Sequence, residues 1–579
     1  MAEPNNTNSV NVDIEKGESS DSNNDSYTTE LEPVLSLEMR KEFEEAGVPL
    51  STIISHGSPD DPVMLERIGS AISIASETVG GAGAHKLDAK DANLPAFGGG
   101  KKYPPLIPYE RDVFVVEYDG PDDPLHPQNF STWKKVKIMA ILAFCTFSAA
   151  WGSSIFATTV PTIAVKFHVS RVVAILSMSL YVLGFASGPL LWAPYSELSG
   201  RRKPLLMGIL GFAIFNIAVA RAQELQTIMI CRFFAGFMGA TCFAVVPATF
   251  ADIFGNKWRG TAMIVFSATI FCGPLLAPVV GGFVVYGHLK WRWTEYLTGI
   301  YGWAGFLLVL FFIDETYAPQ ILVQKAARLR RLTGNWGIHS RQEQVEFDMK
   351  ELLEKNFSRP LRMLATEPIL LLMSIYTAFI YGMLYLLLEA YPIIFIELYG
   401  MSPTIGELPY LSMIVGQFIG CGIMLGFEPL TLRAIAANRG YPVPEMRLYG
   451  CMIGGIVFPI GMFWLTWAGA YHEHVHWAVP TVAGIFVGCG IIMIFLCSLT
   501  YLIEAYLMFA ASAMAANTVL RSAFGAGFPI FATAMFHNLH VQWAGTLLGC
   551  IGILLAPVPF LFFKYGLKLR QMSKYTPVL

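Results

Sequence analysis

Charge is scarce along most of this chain. Asp, Glu, Lys and Arg make up 14% of the 579 residues, against 54% hydrophobic ones. A soluble domain carries about a quarter charged residues, so this composition excludes an ordinary water-exposed surface and directs most of it into lipid. The net charge of −3 provides no field that would draw in nucleic acid, and neither a groove-reading helix nor a zinc-finger spacing is present, so no nucleic-acid partner is expected. No Gly-x-x-x-x-Gly-Lys-Ser/Thr run occurs, which excludes ATP hydrolysis as an energy source. The nine cysteines fall inside apolar runs with no Cys-x-x-Cys spacing, so they read as buried free thiols. No metal or cofactor is expected. No catalytic constellation stands out, which makes a membrane enzyme the weakest class. The first residues, "MAEPNNTNSVNVDIEKGESSDSNND", have no apolar core and are not expected to be a secretory signal.

Long hydrophobic runs are plentiful. A bilayer core of ~30 Å needs ~20 apolar residues per helix, and twelve stretches qualify. Six run 136–158, 172–194, 204–221, 226–250, 260–284 and 294–313. Six more run 368–394, 405–427, 447–469, 476–502, 507–531 and 541–563. The expected fold is an all-α membrane protein of twelve transmembrane helices in two six-helix halves. The parts are a polar, mostly disordered cytosolic tail (1–130), a first half (131–313), a cytosolic central loop (314–366), a second half (367–565) and a cytosolic end (566–579). A short helix is expected near "SLEMRKEFEEAG". Parallel six-helix halves are a recurring transporter plan.

Lys and Arg in the loops set the orientation. With both ends cytosolic, the inner side holds Lys134, Lys135, Arg201, Arg202, Lys203, Arg447 and a central cluster. The outer side holds only Lys166, Arg171, Arg221, Lys290 and Arg292. The Asn-x-Ser/Thr sites at Asn5, Asn24, Asn129 and Asn356 are then cytosolic and carry no glycan. The fifth span, "CGPLLAPVVGGF", puts Gly273, Ala277 and Gly281 on one stripe, next to Gly282, with Pro274 and Pro278 among them. Small residues allow close helix approach and proline bends the axis, so this helix suits an interface that changes between states.

These features resemble the major facilitator superfamily, in its twelve-span fungal drug:proton antiporter branch. "APYSELSGRRKP" is similar to that family's loop after the second span. Gly200, Arg201 and Arg202 match its pattern, Pro194 replaces its first glycine, and Glu197 lies one residue before the usual acid position. "CRFFAGFMGA" resembles its fourth-span Arg-x-x-x-Gly through Arg232 and Gly236. "GPLLAPVVGG" resembles its antiporter motif, with Ala277 where Gly is usual. "NWGIHS", "YLLLEAYP", "GELPY" and "AANTVLRSAFGAGFPIF" look similar to yeast polyamine and multidrug exporters.

Ionisable groups inside spans mark function by default. The resemblance implies a proton-coupling role for Arg232. Glu389, between Tyr385 and Tyr391, is a second candidate for holding a proton or an organic cation. Asp252 and Glu504 end the fourth and tenth spans, which correspond in the six-plus-six repeat. They are expected as inner-gate acids, with Glu197, Gly200, Arg201, Arg202 and Arg259 as their setting. Arg521 in the eleventh span needs a partner, with Glu504 the expected one, and both join the proton-coupling candidates. Trp151, Tyr181, Tyr376, Tyr381 and Tyr385 are candidates for lining a substrate cavity.

The expectation is a monomeric secondary transporter in the plasma membrane, with the vacuolar membrane as the alternative. It would export drugs or polyamine-like cations against protons. An uptake carrier of the same fold and a non-transporting nutrient sensor, with "ESSDSNNDSYTT" as a phosphorylation platform, are the rivals.

Overall fold

The computed structural model describes residues 97–99, 114–344, 358–438, 443–573 and 575. Most of the expected tail, the helix near "SLEMRKEFEEAG" and the phosphorylation segment lie outside the described residues. So do the middle of the central loop and the last few residues.

In hydrocarbon every backbone N–H and C=O must find its partner within the chain, and a helix is the local way to do so. Among the described residues, eleven uninterrupted helical stretches are long and apolar enough to cross a membrane. The last, Ala510–Met572, has 63 residues and would be about 95 Å long at ~1.5 Å per residue. A bilayer core is ~30 Å thick. His540 breaks it, with φ 59° and ψ 157°, so it makes two crossings and the total among the described residues is twelve. The spans are α1 Thr132–Lys166, α2 Arg171–Ser199, α3 Arg202–Arg221, α4 Leu225–Ile253, α5 Asn256–Tyr286 and α6 Arg292–Phe312. The second set is α7 Pro368–Leu398, α8 Tyr410–Ala437, α9 Leu448–Ala470, α10 Ala478–Tyr506, α11 510–539 and α12 541–572. Apolar side chains such as Ile230, Phe311, Phe418 and Leu554 stand exposed on the outside, as lipid contact requires. Most cysteines are buried, but Cys231 and Cys272 are only partly so and Cys550 is exposed.

Odd-numbered spans start at one end of the bundle, the near end, where α1 begins; even-numbered spans start at the far end. Within the first half α2 and α3 pack on α4, and α1 on α5. Within the second, α9 and α8 pack on α10. The halves meet where α2 lies on the 510–555 helix and α5 on α8. The stripe of α5 is not at that seam. A side chain at Gly273 would meet Ala150 and the Trp151 backbone, and one at Gly281 would meet Thr158. Ala277 is buried with Trp151 and Ile155. The small residues therefore seat α5 on α1 inside its own half, with Pro274 and Pro278 inside a continuous helix. Other α5 residues face the second half: Cys272 lies 3.6 Å from Gln417 Oε1, and Phe271 packs on Phe495.

Two boundaries differ from expectation for local reasons. The run 405–427 opens as a loop, because Gly400 takes φ 66° and Pro403 and Pro409 interrupt the ladder. Helix α8 starts only after Pro409, which places Glu407 in that loop. Residues 114–130, assigned to the tail, are ordered. Phe97, Phe114 and Val116 pack on Ala326, Leu329 and Ile338, around the connector helix Ala318–Thr333. Val116 N donates to His339 O at 2.9 Å.

Gly200 ends α2 at φ 88°, a conformation an L side chain rarely adopts. A Cβ there would also run into the Glu315 carboxylate. Gly200→Ala is therefore expected to destabilise the protein by about 1–3 kcal/mol from backbone strain, visible as a lower thermal midpoint in detergent.

Candidate functional site

Arg232 is fully buried on α4. Its Nη1 donates to Gly152 O at 2.8 Å and approaches Glu295 Oε1 at 3.4 Å, while Nε reaches Ser177 O at 3.4 Å. The guanidinium lies over Tyr181 at 4.4 Å and Phe156 at 4.8 Å. One cation thus ties α1, α2, α4 and α6. Both members of the Arg232–Glu295 pair are 0% exposed, and among the described residues Arg232 Nη2 and Glu295 Oε2 have no hydrogen-bond partner. Gly236, one turn on, lets α4 touch the Tyr181 backbone, where any Cβ would collide. A buried carboxylate held by one incompletely satisfied arginine can trade that ion pair for a proton. The sequence offered Glu295 only as an acid in the first turn of a span, which is why it escaped notice.

Two of the charge networks at the near end correspond, one in each half. In the first, Arg201 Nε holds Asp252 at 2.9 Å, and its Nη1 donates to Ser196 at 2.9 Å. Glu315 Oε1 accepts from the backbone N–H of Arg201 at 2.8 Å, of Thr316 at 3.0 Å and of Tyr317 at 3.0 Å, and Oε2 accepts from Arg202 N at 3.3 Å. Arg202 itself donates to Leu310 O at 2.8 Å. In the second half, Arg447 bridges Glu428 at 2.8 Å and Glu504 at 2.7 Å. Asp252 and Glu504 are thus each paired with the arginine that precedes the third or the ninth span. Glu197 takes no part. It is exposed, and Glu315 supplies the acid, because a shift of one helical residue turns a side chain by about 100°. Arg259 makes no ion pair among the described residues; its Nη2 reaches Ala251 O at 3.5 Å. Beside this end, the Lys134 ammonium 2.8 Å from Asp314 holds that carboxyl below the usual range.

Arg521 is not bound to Glu504. Its guanidinium lies over Tyr381 and Phe495, each at 5.2 Å, and Nε and Nη1 have no hydrogen-bond partner among the described residues. It stands about 16 Å along α11 from the helix start, whereas Glu504 is at the near end.

The aromatic candidates divide into groups. Tyr181 donates to Ala149 O at 2.8 Å, and Trp151 packs on Tyr301 at 5.6 Å, both within the first half. Tyr385 donates to Ser153 Oγ across the halves at 2.9 Å and lies 3.3 Å from the Tyr381 hydroxyl. Tyr376 packs toward Gly455 of α9, away from the others.

At the far end Glu389 is buried, and Arg171 of the first half donates to it at 3.0 Å. Thr533 donates to the same oxygen at 3.3 Å. Arg171 also lies 3.7 Å from Glu397, which contacts His537 at 2.9 Å. Neither flanking tyrosine hydrogen-bonds Glu389; Tyr391 stacks on Tyr410 at 4.5 Å.

The model of the family described as Major Facilitator Superfamily matches residues 142–529. The chain is 50% identical over 487 residues to the Major facilitator superfamily multidrug transporter FLU1 of Candida albicans, covering 84% of this chain and 80% of the relative. It is 51% identical over 489 residues to Multidrug transporter TPO1_2 of Candida glabrata, covering 84% of each. Among solved structures it is similar in fold to the xylose transporter XylE from E. coli in a partially occluded inward-open conformation. That likeness has TM-score 0.52 and 17% identity and covers 75% of this chain and 98% of that one.

Proposed function

Since this chain belongs to the Major Facilitator Superfamily, and is a transporter rather than an enzyme, we propose that it exports drugs and organic cations by proton antiport. The substrate class is supported by relatives about half identical over most of the chain, both named multidrug transporters. The coupling reading is carried by the buried Arg232–Glu295 pair. A proton arriving at Glu295 releases Arg232, and the helices that Arg232 ties together are freed to rearrange; loss of the proton restores the tie. The halves rock about the seam formed by α2, α5, α8 and the 510–555 helix. The excess of Lys and Arg at the near end supports a cytosolic near end, hence both termini inside. The protein acts as a monomer in the plasma membrane.

The test is efflux of a labelled polyamine and a labelled azole from cells lacking or overexpressing the chain, with and without a protonophore. Efflux that rises with expression by several-fold and collapses with the gradient is the expected result. Export that survives gradient collapse removes the coupling reading, and no export of either solute removes the substrate reading.

A further inference from the structure

Among the charges of the far end, Glu389, Glu397 and Glu407 gather near the seam with Arg171. Arg171 is engaged by Glu389 at 3.0 Å and Glu397 at 3.7 Å. Glu407 has no such partner. It sits in the loop between α7 and α8, 4% exposed, with Oε2 buried and unbonded and no ion pair among the described residues. Its location is at the seam between halves. A Cβ on Gly282 of α5 would lie 3.1 Å from Glu407 Cγ and 3.4 Å from Pro403 O, so this glycine lets the first half press onto the acid.

We propose that Glu407 is a proton-binding residue of the transport cycle: closing the far end drives its carboxylate into the seam and takes up one proton from the solution on that side. The step is a simple protonation, carboxylate plus H⁺ giving carboxylic acid, and it reverses when α5 parts from the loop. That the proton comes from outside the cell rests on the topology proposed above; the link between closure and protonation does not.

The surroundings favour the acid form. Glu389 on α7 adds a like charge nearby, while Arg171 on α2 is already shared between Glu389 and Glu397. Tyr286 on α5 lies near both Glu407 and Arg171. The Tyr410 hydroxyl on α8 donates to Leu387 O and Leu388 O rather than to Glu407, and Tyr391 is stacked on Tyr410. His537 on α11 is spent on Glu397. A buried carboxylate without a cation is stable only when neutral. Burial, with the Glu389 charge second, pushes Glu407 from 4.5 up to about 8. The closed state therefore binds the extra proton. The closed-to-open ratio is highest in acid and falls up to tenfold per pH unit as pH rises, until the closed-state value near 8 is passed.

The far-end opening can be read in lipid nanodiscs from the distance between spin labels on the exposed loops, at His288→Cys and Glu473→Cys, with Cys231, Cys272 and Cys550 changed to alanine. The expected result is a long-distance population that grows more than tenfold from pH 5.5 to 8. Glu407→Gln should stay closed and change less than threefold over the same range, while Glu407→Asp keeps the slope. Glu407→Met is a second neutral variant should the glutamine form fail to accumulate. A flat profile in the parent, or a slope in the neutral variants equal to the parent's, overturns the proposal. The cellular efflux assay fails independently: gradient-driven export with a pH-insensitive far end sinks only this inference, and a pH-linked far end without gradient-driven export sinks only the antiport reading.

Discussion

Arg232→Gln is expected to remove transport and to destabilise the protein by about 3–5 kcal/mol, the usual cost of stranding one member of a buried ion pair. The stranded group is Glu295, which is 0% exposed and has no other cation within reach among the described residues. The change also frees Gly152 O from its 2.8 Å donor and empties the space between Tyr181 and Phe156. Loss of activity in this single variant would not separate coupling from packing. The double variant Arg232→Met/Glu295→Met does. Replacing both charges by apolar groups of similar volume is often neutral or stabilising, so the thermal midpoint is expected to return to near that of the parent. Gradient-driven efflux is expected to stay at least about a hundredfold down, since an absent proton site and an absent ion pair cannot alternate. A double variant that folds and still pumps at the parent's rate would reduce the pair to a packing device and leave the coupling elsewhere.

The span count and the two-half plan were legible because hydropathy over ~20 residues is a strong signal. The correspondence of Asp252 and Glu504 was legible too, since the repeat alone places both at the near ends of equivalent helices. Arg201 was legible as the setting of Asp252, and the structure pairs the two. The partner of Glu504 was not: Arg447 appeared only among the inner-side cations, and Glu315 only as an unremarked residue of the central loop, because a contact between residues more than fifty positions apart leaves no local pattern. Glu295 was hidden for another reason: an acid in the first turn of a helix is ordinary, and only the structure shows that this turn is buried. Arg521 was given the wrong partner because an unsatisfied charge invites the nearest acid in the chain, whereas aromatic faces at 5.2 Å are its neighbours here. The loop at 399–409 carried its warning in Pro403 and Pro409, which a window average over an apolar run conceals.

The two near-end networks look equivalent, yet the loss of their arginines should differ. Arg447→Ala leaves Glu428 and Glu504 facing one another, with side chains only 9% and 16% exposed. Glu428 Oε1 and Glu504 Oε2 already lack a hydrogen-bond partner among the described residues, and the Arg259 charge acts on Glu504 without bonding it. The expected loss is about 3–5 kcal/mol. Arg201→Ala strands less. Asp252 keeps 22% exposure and can be hydrated, while Glu315 retains its bonds from the backbone N–H groups of residues 201, 202, 316 and 317, none of which needs the Arg201 side chain. A loss of about 1–3 kcal/mol is expected there, the desolvation of one partly covered group. Thermal unfolding of the two variants side by side in the same detergent measures the difference. Adding Glu428→Gln to Arg447→Ala should recover part of the loss by removing the like charge. Equal midpoints for the two arginine variants, or no recovery in the double variant, would mean that water already screens the Arg447 cluster and that it does not hold the second half together.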